Sequence, residues 1–195
     1  MGISGCAAIA RACGLARNLI ALKTQRDVRK DFLDTYAWNG KDGVYEDFNW
    51  VTQKQTGIKS LAMTYPLYVN MASQEQADAV AQYLETYFLK PGGVLTSLNP
   101  SGQQWDAPNG WAPLQWMTVM GLEHYGHSKL AKAIAQRWVS LNEKVYTNTG
   151  KFVEKYNVED MTLEAGGGEY PVQDGFGWSN GVYLALKAYL EKDSD

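Results

Sequence analysis

Cysteine and histidine are scarce in this sequence. The chain of 195 residues has only Cys6 and Cys13, and only His124 and His127. If the first segment is helical, the two thiols lie about 10.5 Å apart along the axis, beyond the reach of a disulfide. No cysteine lies near either histidine, so the spacing of a zinc site is absent. The framework of a small disulfide-stapled domain and that of a structural zinc site are both excluded.

Long apolar runs and an excess of positive charge are also missing. No run of about 18 apolar residues predicts a membrane span. Residues 1–12 lack the basic start and long apolar stretch of a signal peptide, and Cys6 stands where a myristoylation signal has Ser or Thr. The formal charge of -3 offers no broad basic surface for nucleic acid. We therefore expect no nucleic-acid or membrane partner and a cytoplasmic location, with a periplasmic or secreted full-length form as the alternative.

Aromatic residues are abundant. Seven tryptophans and twelve tyrosines occur in a chain that is 45% hydrophobic and 20% charged. This load suits a carbohydrate site and helix packing equally. The length is that of one ordinary domain, so we interpret residues 1–195 as a single domain.

Apolar residues recur at helical spacing along most of the chain, and strand-like alternation is scarce. Ser73 and Gln76 form a capping-box pattern ahead of an apolar stripe, and Ser128 is expected to cap another helix. The predicted helices cover residues 15–36, 60–71, 73 to about 90, 114–125, 128–146 and 179–192. An all-α fold is therefore expected, with aromatic and glycine-rich loops between the helices.

The segment 103–116 packs three indoles, one acid and several amides around proline and glycine. Indole faces and amide or carboxylate tips are groups that suit the C–H faces and hydroxyls of a sugar. The alternative is a loop whose tryptophans anchor it to the core. The ordered combination favours the sugar-binding interpretation.

This segment closely resembles the Gln-Trp-Asp-x-Pro-x-Gly-Trp-x-Pro signature of the trehalases, the six-hairpin glycosidases that split α,α-trehalose. Residues 166–181 are similar to a glycine-rich block of the same family. Between them, residues 152–157 resemble the segment that carries the family's catalytic base, and similarity extends back to about Trp38. The resemblance implies an (α/α)6 toroid.

A complete toroid of this kind has twelve helices, so the chain is expected to supply roughly its C-terminal half. Residues 1–14 are an atypical start that resembles the family poorly. The family's early arginine signature and its Gly-Trp-Asp segment, which carries the catalytic acid, do not occur in this sequence. We interpret the chain as a C-terminal portion that is unstable, self-associates through an exposed half-barrel face, or forms part of a longer product.

The resemblance implies an inverting acid/base mechanism with no cofactor and no metal, acting on trehalose to give glucose. Glu154 corresponds to the general base; judged alone, it would be an ordinary surface glutamate beside Lys155. Because the aspartate that acts as general acid is missing, the chain alone is expected to be weakly active or inactive. The alternatives are a non-catalytic sugar-binding remnant and another six-hairpin glycosidase.

The same resemblance implies a set of substrate-binding residues. Three tryptophans are candidate stacking platforms, with hydrophobic packing as the alternative. Asp106 and Asn109 either bind sugar hydroxyls or bond to their own loop, whereas Glu169 either binds a sugar hydroxyl or is a loop acid that is solvated or caps the last helix. The predicted substrate-binding residues are Trp105, Asp106, Asn109, Trp111, Glu169, Tyr170 and Trp178.

Overall fold

The computed structural model describes residues 16–163 and 171–192, and helices dominate these ranges. The atypical start, residues 1–14, lies outside them. The helices are α1 (Ala16–Phe32), α2 (Tyr65–Tyr68), α3 (Gln74–Tyr83), α4 (Ala112–His124), α5 (Ser128–Thr149) and α6 (Gly177–Glu191). α1 and α3 each continue into a wider five-residue turn, Leu33–Ala37 and Leu84–Phe88, and a 3-10 turn at Leu61–Thr64 leads into α2. The prediction of a mainly helical chain is confirmed.

Short strands occupy the long connections between helices. They pair antiparallel as β1 with β2, β3 with β4, β5 with β6 and β7 with β8. Their bounds are β1 (Trp38–Asn39), β2 (Val44–Tyr45), β3 (Phe48–Asn49), β4 (Lys54–Gln55), β5 (Leu89–Lys90), β6 (Gly93–Val94), β7 (Asn109–Trp111) and β8 (Lys155–Asn157). The first three pairs are local hairpins, whereas β7 and β8 join two distant loops.

Long and short connections alternate along the chain. The short ones follow α2 and α4, and the long ones cover residues 38–60, 89–111 and 150–176. Because successive helices reverse direction, the three long connections meet at one end of the helices. α2 packs on α4, and α4 and α5 both pack on α6. We call the end that carries the long connections the loop end.

The capping box at the start of α3 forms as predicted. The Ser73 hydroxyl accepts the backbone N–H of Gln76, and the Gln76 side chain accepts the backbone N–H of Ser73 at 2.8 Å. Both bonds satisfy donors that a helix start leaves without partners. The predicted apolar stripe is buried, and it comprises Ala77, Val80, Ala81, Leu84 and Phe88.

Two local predictions differ from the structure. The helix expected over 60–71 is divided into a 3-10 turn and the short α2, because Pro66 lies in the first turn of α2. The expected cap, Ser128, is instead the first residue of α5. Its hydroxyl donates to the Glu123 carboxylate at 2.8 Å. His127 is at the cap position, and its side chain makes no capping bond to the helix.

Trp138 and Tyr156 form the aromatic centre of the core beneath the loop end. Both are fully buried, and their rings meet edge to face with centroids 5.1 Å apart. Beside them, Gln115 bonds both the N–H and the carbonyl of Val94, at 3.0 and 2.7 Å. The core therefore fixes the loop end to α4 and α5.

Across the ranges 16–163 and 171–192, no helix combines the length and apolar character that crossing a membrane requires.

Gly110 provides a test of this packing. A Cβ there would lie 2.5 Å from Val158 and 3.2 Å from the Trp138 ring. We expect Gly110→Ala to lower the free energy of unfolding by about 1–3 kcal/mol through overpacking. Gly181 in α6 is the matched control, since no described atom lies within 4 Å of its Cβ position. Gly181→Ala should instead stabilise the helix by up to about 1 kcal/mol in urea unfolding. Equal effects of the two substitutions would contradict the packing.

Glu46 provides a pH test. Burial opposes its charge, but hydrogen bonds from Lys59, Asn39 and the Gly57 N–H hold the pKa of Glu46 below its ordinary value of 4.5. Because the unfolded state then binds more protons, stability should fall as the pH drops below about 4.5. We expect the stability difference between the wild type and Glu46→Gln to shrink over this window in urea titrations. A difference that is constant from pH 6 to pH 3 would contradict the prediction.

Candidate active site

A ladder of backbone hydrogen bonds crosses the loop end and links its three long connections. The Leu61 N–H donates to the Thr96 carbonyl at 2.8 Å, and the Leu98 N–H donates to the Lys59 carbonyl at 3.0 Å. The Thr96 N–H then donates to the Asn109 carbonyl at 2.9 Å. We call this set of bonds, continued through β7 and β8, the ladder.

The pairing of β7 with β8 brings together the two segments that the resemblance singles out. Asn109 is opposite Asn157, and Trp111 is opposite Lys155. The next residue toward the N-terminus, Glu154, donates its N–H to the Gln173 carbonyl at 2.9 Å. The tryptophan segment and the predicted base therefore lie side by side, although they are far apart in sequence.

The three predicted tryptophans cluster at this junction. The rings of Trp105 and Trp111 stack with centroids 3.9 Å apart and planes inclined by 3°, and Trp178 meets Trp111 edge-on at 5.7 Å. Trp111 is only 1% exposed, whereas Trp105 is 51% and Trp178 is 36% exposed. Trp111 thus supports the cluster, and the accessible indole surface belongs to the other two.

Trp111 and Asn109 hold the shape of the loop. The indole N–H of Trp111 and the side-chain amide of Asn109 both donate to the Gln104 carbonyl at 3.0 Å. Both side chains are buried. Two donors on one carbonyl fix the path of residues 104–111.

Asp106 bonds to its own turn. Its Oδ2 accepts the N–H groups of Ser101 and Gln103, at 2.8 and 3.2 Å, as well as the Ser101 hydroxyl. The residue is 4% exposed, and its Oδ1 has no hydrogen-bond partner among the described residues. The following peptide, Ala107-Pro108, is cis. These bonds hold the turn of residues 101–106, and the sugar-binding role of Asp106 stays a prediction.

Glu154 is buried beside a buried lysine. The carboxylate is 4.0 Å from the Lys155 ammonium, and the two side chains are 4% and 0% exposed. That ammonium also lies 3.4 Å from the Gln104 side-chain oxygen and 5.7 Å from the centroid of the Trp111 ring. The lysine therefore lies between the carboxylate and the tryptophan loop.

The backbone around Glu154 is held from the other side by α6. The Trp178 indole N–H donates to the Glu154 carbonyl at 3.3 Å, and the Ser179 hydroxyl donates to the Val153 carbonyl at 2.6 Å. The Tyr156 hydroxyl accepts the Val153 N–H at 3.1 Å, and burial raises the pKa of Tyr156 to about 12. Glu154 therefore lies on backbone that is fixed at both neighbouring residues.

The structure brings together Glu154 and five of the seven predicted substrate-binding residues on one stretch of loops. The other two, Glu169 and Tyr170, lie outside the described residues. Sequence reasoning missed the role of Lys155. Its neighbours gave no signal, because its burial comes from the pairing of its strand with Trp111 in a distant segment.

Chemically, the site combines one shielded carboxylate with two partly open indoles. The carboxylate can accept a proton, and the indoles can cover the apolar face of a ring-shaped ligand.

Comparison with known proteins gives this arrangement a context. The chain is 28% identical to the neutral trehalase from Saccharomyces cerevisiae, with a TM-score of 0.75 over 86% of this chain and 30% of that one. It is 23% identical to a GH63 mannosylglycerate hydrolase from Thermus thermophilus, solved in complex with glucose, with a TM-score of 0.69 over 88% and 41% of the two chains. The chain thus spans less than half of either protein.

These likenesses confirm the predicted fold class, helical hairpins of the toroid type. The sequence model described as Trehalase matches residues 4–190. Because that match covers nearly the whole sequence, the chain belongs to the trehalase family.

Proposed function

We propose that this chain is part of a glycosidase that hydrolyses α,α-trehalose to two glucose molecules with inversion, and that Glu154 is the general base. The observation that carries the proposal is the buried Glu154 and Lys155 pair, joined through β7 and β8 to the tryptophan cluster. Family membership supports glycoside hydrolysis, and the similarity to a yeast trehalase supports the choice of substrate.

The proposed step needs two carboxyl groups on opposite faces of the sugar. Glu154 accepts a proton from water as the water oxygen bonds to the anomeric carbon, and a second, protonated carboxyl gives its proton to the departing glucose oxygen. The residue Glu154 as a whole is 3% exposed, which suits this role because its carboxylate then acts on one bound water rather than on bulk solvent. The Gly-Trp-Asp segment that carries the acid in the family is not among these 195 residues.

Trp105 and Trp178 are the proposed sugar-contacting surfaces. Both are partly exposed, and both contact the ring of Trp111, which anchors the loop. The structurally similar hydrolase from Thermus thermophilus is in complex with glucose, which supports a hexose as the ligand of this fold. Trehalose presents two such rings.

A second function is binding of trehalose or glucose without hydrolysis. It is favoured by one observation, that the accessible indole faces of Trp105 and Trp178 can hold a sugar ring without any reaction. Saturable binding of trehalose with no release of glucose would identify it. Faster cleavage of another disaccharide, such as maltose, would instead identify a six-hairpin glycosidase of different specificity.

The base assignment is tested with Glu154→Gln. We expect glucose release from trehalose to fall by about 10²–10⁴-fold, because the amide cannot accept the proton from water. The assay uses the 195-residue chain, and also a version extended upstream if the chain alone is inactive. Glu159→Gln is the matched control. The Glu159 carboxylate is exposed and pairs with Lys90 at 3.4 Å, so this substitution should leave the rate unchanged. An undiminished rate in the Glu154 variant would refute the assignment.

The stacking role is tested with Trp105→Ala. We expect binding of trehalose, measured by calorimetry, to weaken roughly two- to tenfold, since an aromatic contact contributes about 0.5–1.5 kcal/mol. The control is Trp50→Ala, which removes a comparably exposed indole that packs on Phe32 and Phe48. If both variants bind as tightly as the wild type, Trp105 is not a sugar platform.

A further inference from the structure

The loop end contains a sequence repeat. Residues 44–49 read Val-Tyr-Glu-Asp-Phe-Asn, residues 94–99 read Val-Leu-Thr-Ser-Leu-Asn, and residues 152–157 read Phe-Val-Glu-Lys-Tyr-Asn. Two of the final asparagines also behave alike. Asn49 and Asn157 each accept the backbone N–H groups two and three residues further on, at 2.8 to 3.0 Å. The same short unit thus occurs once in each of the three long connections.

The third position of each unit is a buried polar residue. Glu46, Thr96 and Glu154 are 6%, 4% and 3% exposed. The proposed base therefore has a carboxylate counterpart, Glu46, at the same position of the first unit. Glu46 takes part in none of the contacts described above for the candidate site.

Glu46 closes its own long connection. One carboxylate oxygen accepts the Asn39 amide at 2.6 Å and the Lys59 ammonium, and the other accepts the Gly57 N–H at 2.8 Å. Lys59 also pairs with Asp42 at 2.7 Å, and its side chain is 14% exposed. The carboxylate thus joins the beginning of the connection to its end.

Lys59 is also the first residue of the ladder. Its carbonyl accepts the Leu98 N–H, and the chain at Leu61 bonds Thr96, which in turn bonds Asn109. From there β7 pairs with β8, whose neighbour is Glu154. Backbone hydrogen bonds, together with short stretches of the chain itself, therefore connect Lys59, which Glu46 holds, to Glu154.

We propose that Glu46 is a positioning residue for the candidate active site. By holding Gly57 and Lys59 it fixes residues 57–61, where the ladder that leads to Glu154 begins. Only the catalytic consequence of this role rests on the proposed function, since the positioning itself concerns the free protein. Removal of the carboxylate charge leaves the Lys59 ammonium with Asp42 alone and weakens the hold on the Gly57 N–H.

The test is amide hydrogen exchange on the 195-residue chain, measured by NMR. We expect Glu46→Gln to speed exchange at least tenfold at the ladder amides of Leu61, Leu98 and Thr96 and at the neighbouring Glu154 amide, while the central amides of α5 accelerate only by the loss of global stability measured in urea. Glu46→Asp, which retains a carboxylate within reach of Lys59, should restore part of the protection. The Asp variant also serves if the Gln variant does not fold.

Glu143→Gln is the matched control. Its carboxylate also holds one lysine, Lys187 at 3.0 Å, and one further donor, the Tyr183 hydroxyl at 2.9 Å, but it lies between α5 and α6 and away from the ladder. It should leave all three ladder amides unchanged. Faster exchange confined to residues 39–57 in Glu46→Gln, or an equal acceleration in α5, would overturn the proposal.

A second readout separates this inference from the proposed function. In a form of the protein that hydrolyses trehalose, Glu46→Gln should lower kcat at least tenfold with KM changed less than threefold, because a displaced base slows the step without removing a sugar contact. An unchanged kcat would overturn the catalytic consequence. If the wild type neither binds nor hydrolyses trehalose, the proposed function fails, and the exchange rates alone decide the positioning role.

Discussion

The pairing of β7 with β8 is the constraint on which the site depends. Three residues from each of two distant connections form this pair, and it alone sets Trp111 opposite Lys155. The lysine then lies against the tryptophan ring and near the Glu154 carboxylate. Without this short pair, the Glu154 carboxylate and the indoles of Trp105 and Trp111 would belong to separate loops.

The helices make that pairing reproducible. α4 begins directly after β7, and α6 begins three residues after Asp174, which is bridged to Val153. The Gln115 side chain of α4 hydrogen-bonds the N–H and the carbonyl of Val94, and the Ser179 hydroxyl of α6 donates to the Val153 carbonyl. The helices thus form a rigid scaffold that positions the irregular loops, and functional residues commonly lie on loops held in this way.

The sequence predicted the helices well, because their information is local. The stripe from Ala77 to Phe88 and the capping box at Ser73 depend on spacing within one helix. The environment of a site residue depends instead on how the irregular loops fold and on partners from distant segments. No local pattern predicts that Trp105 covers the ring of Trp111, that Ser101 binds the Asp106 carboxylate, or that Lys155 is completely buried. Ser128 is not the cap of α5, because its hydroxyl bonds to Glu123 near the end of the preceding helix.

The central claim is that the tryptophan cluster next to Glu154 forms a trehalose surface. The most direct test follows the indole N–H signals of the seven tryptophans by ¹⁵N NMR during a titration with trehalose. The account predicts saturable shifts for Trp105 and Trp178, and unchanged signals for Trp50, which packs on Phe32 and Phe48, and for Trp138 in the core. Saturation of the Trp50 signal alone, or no shift of any indole at high trehalose concentration, would contradict it.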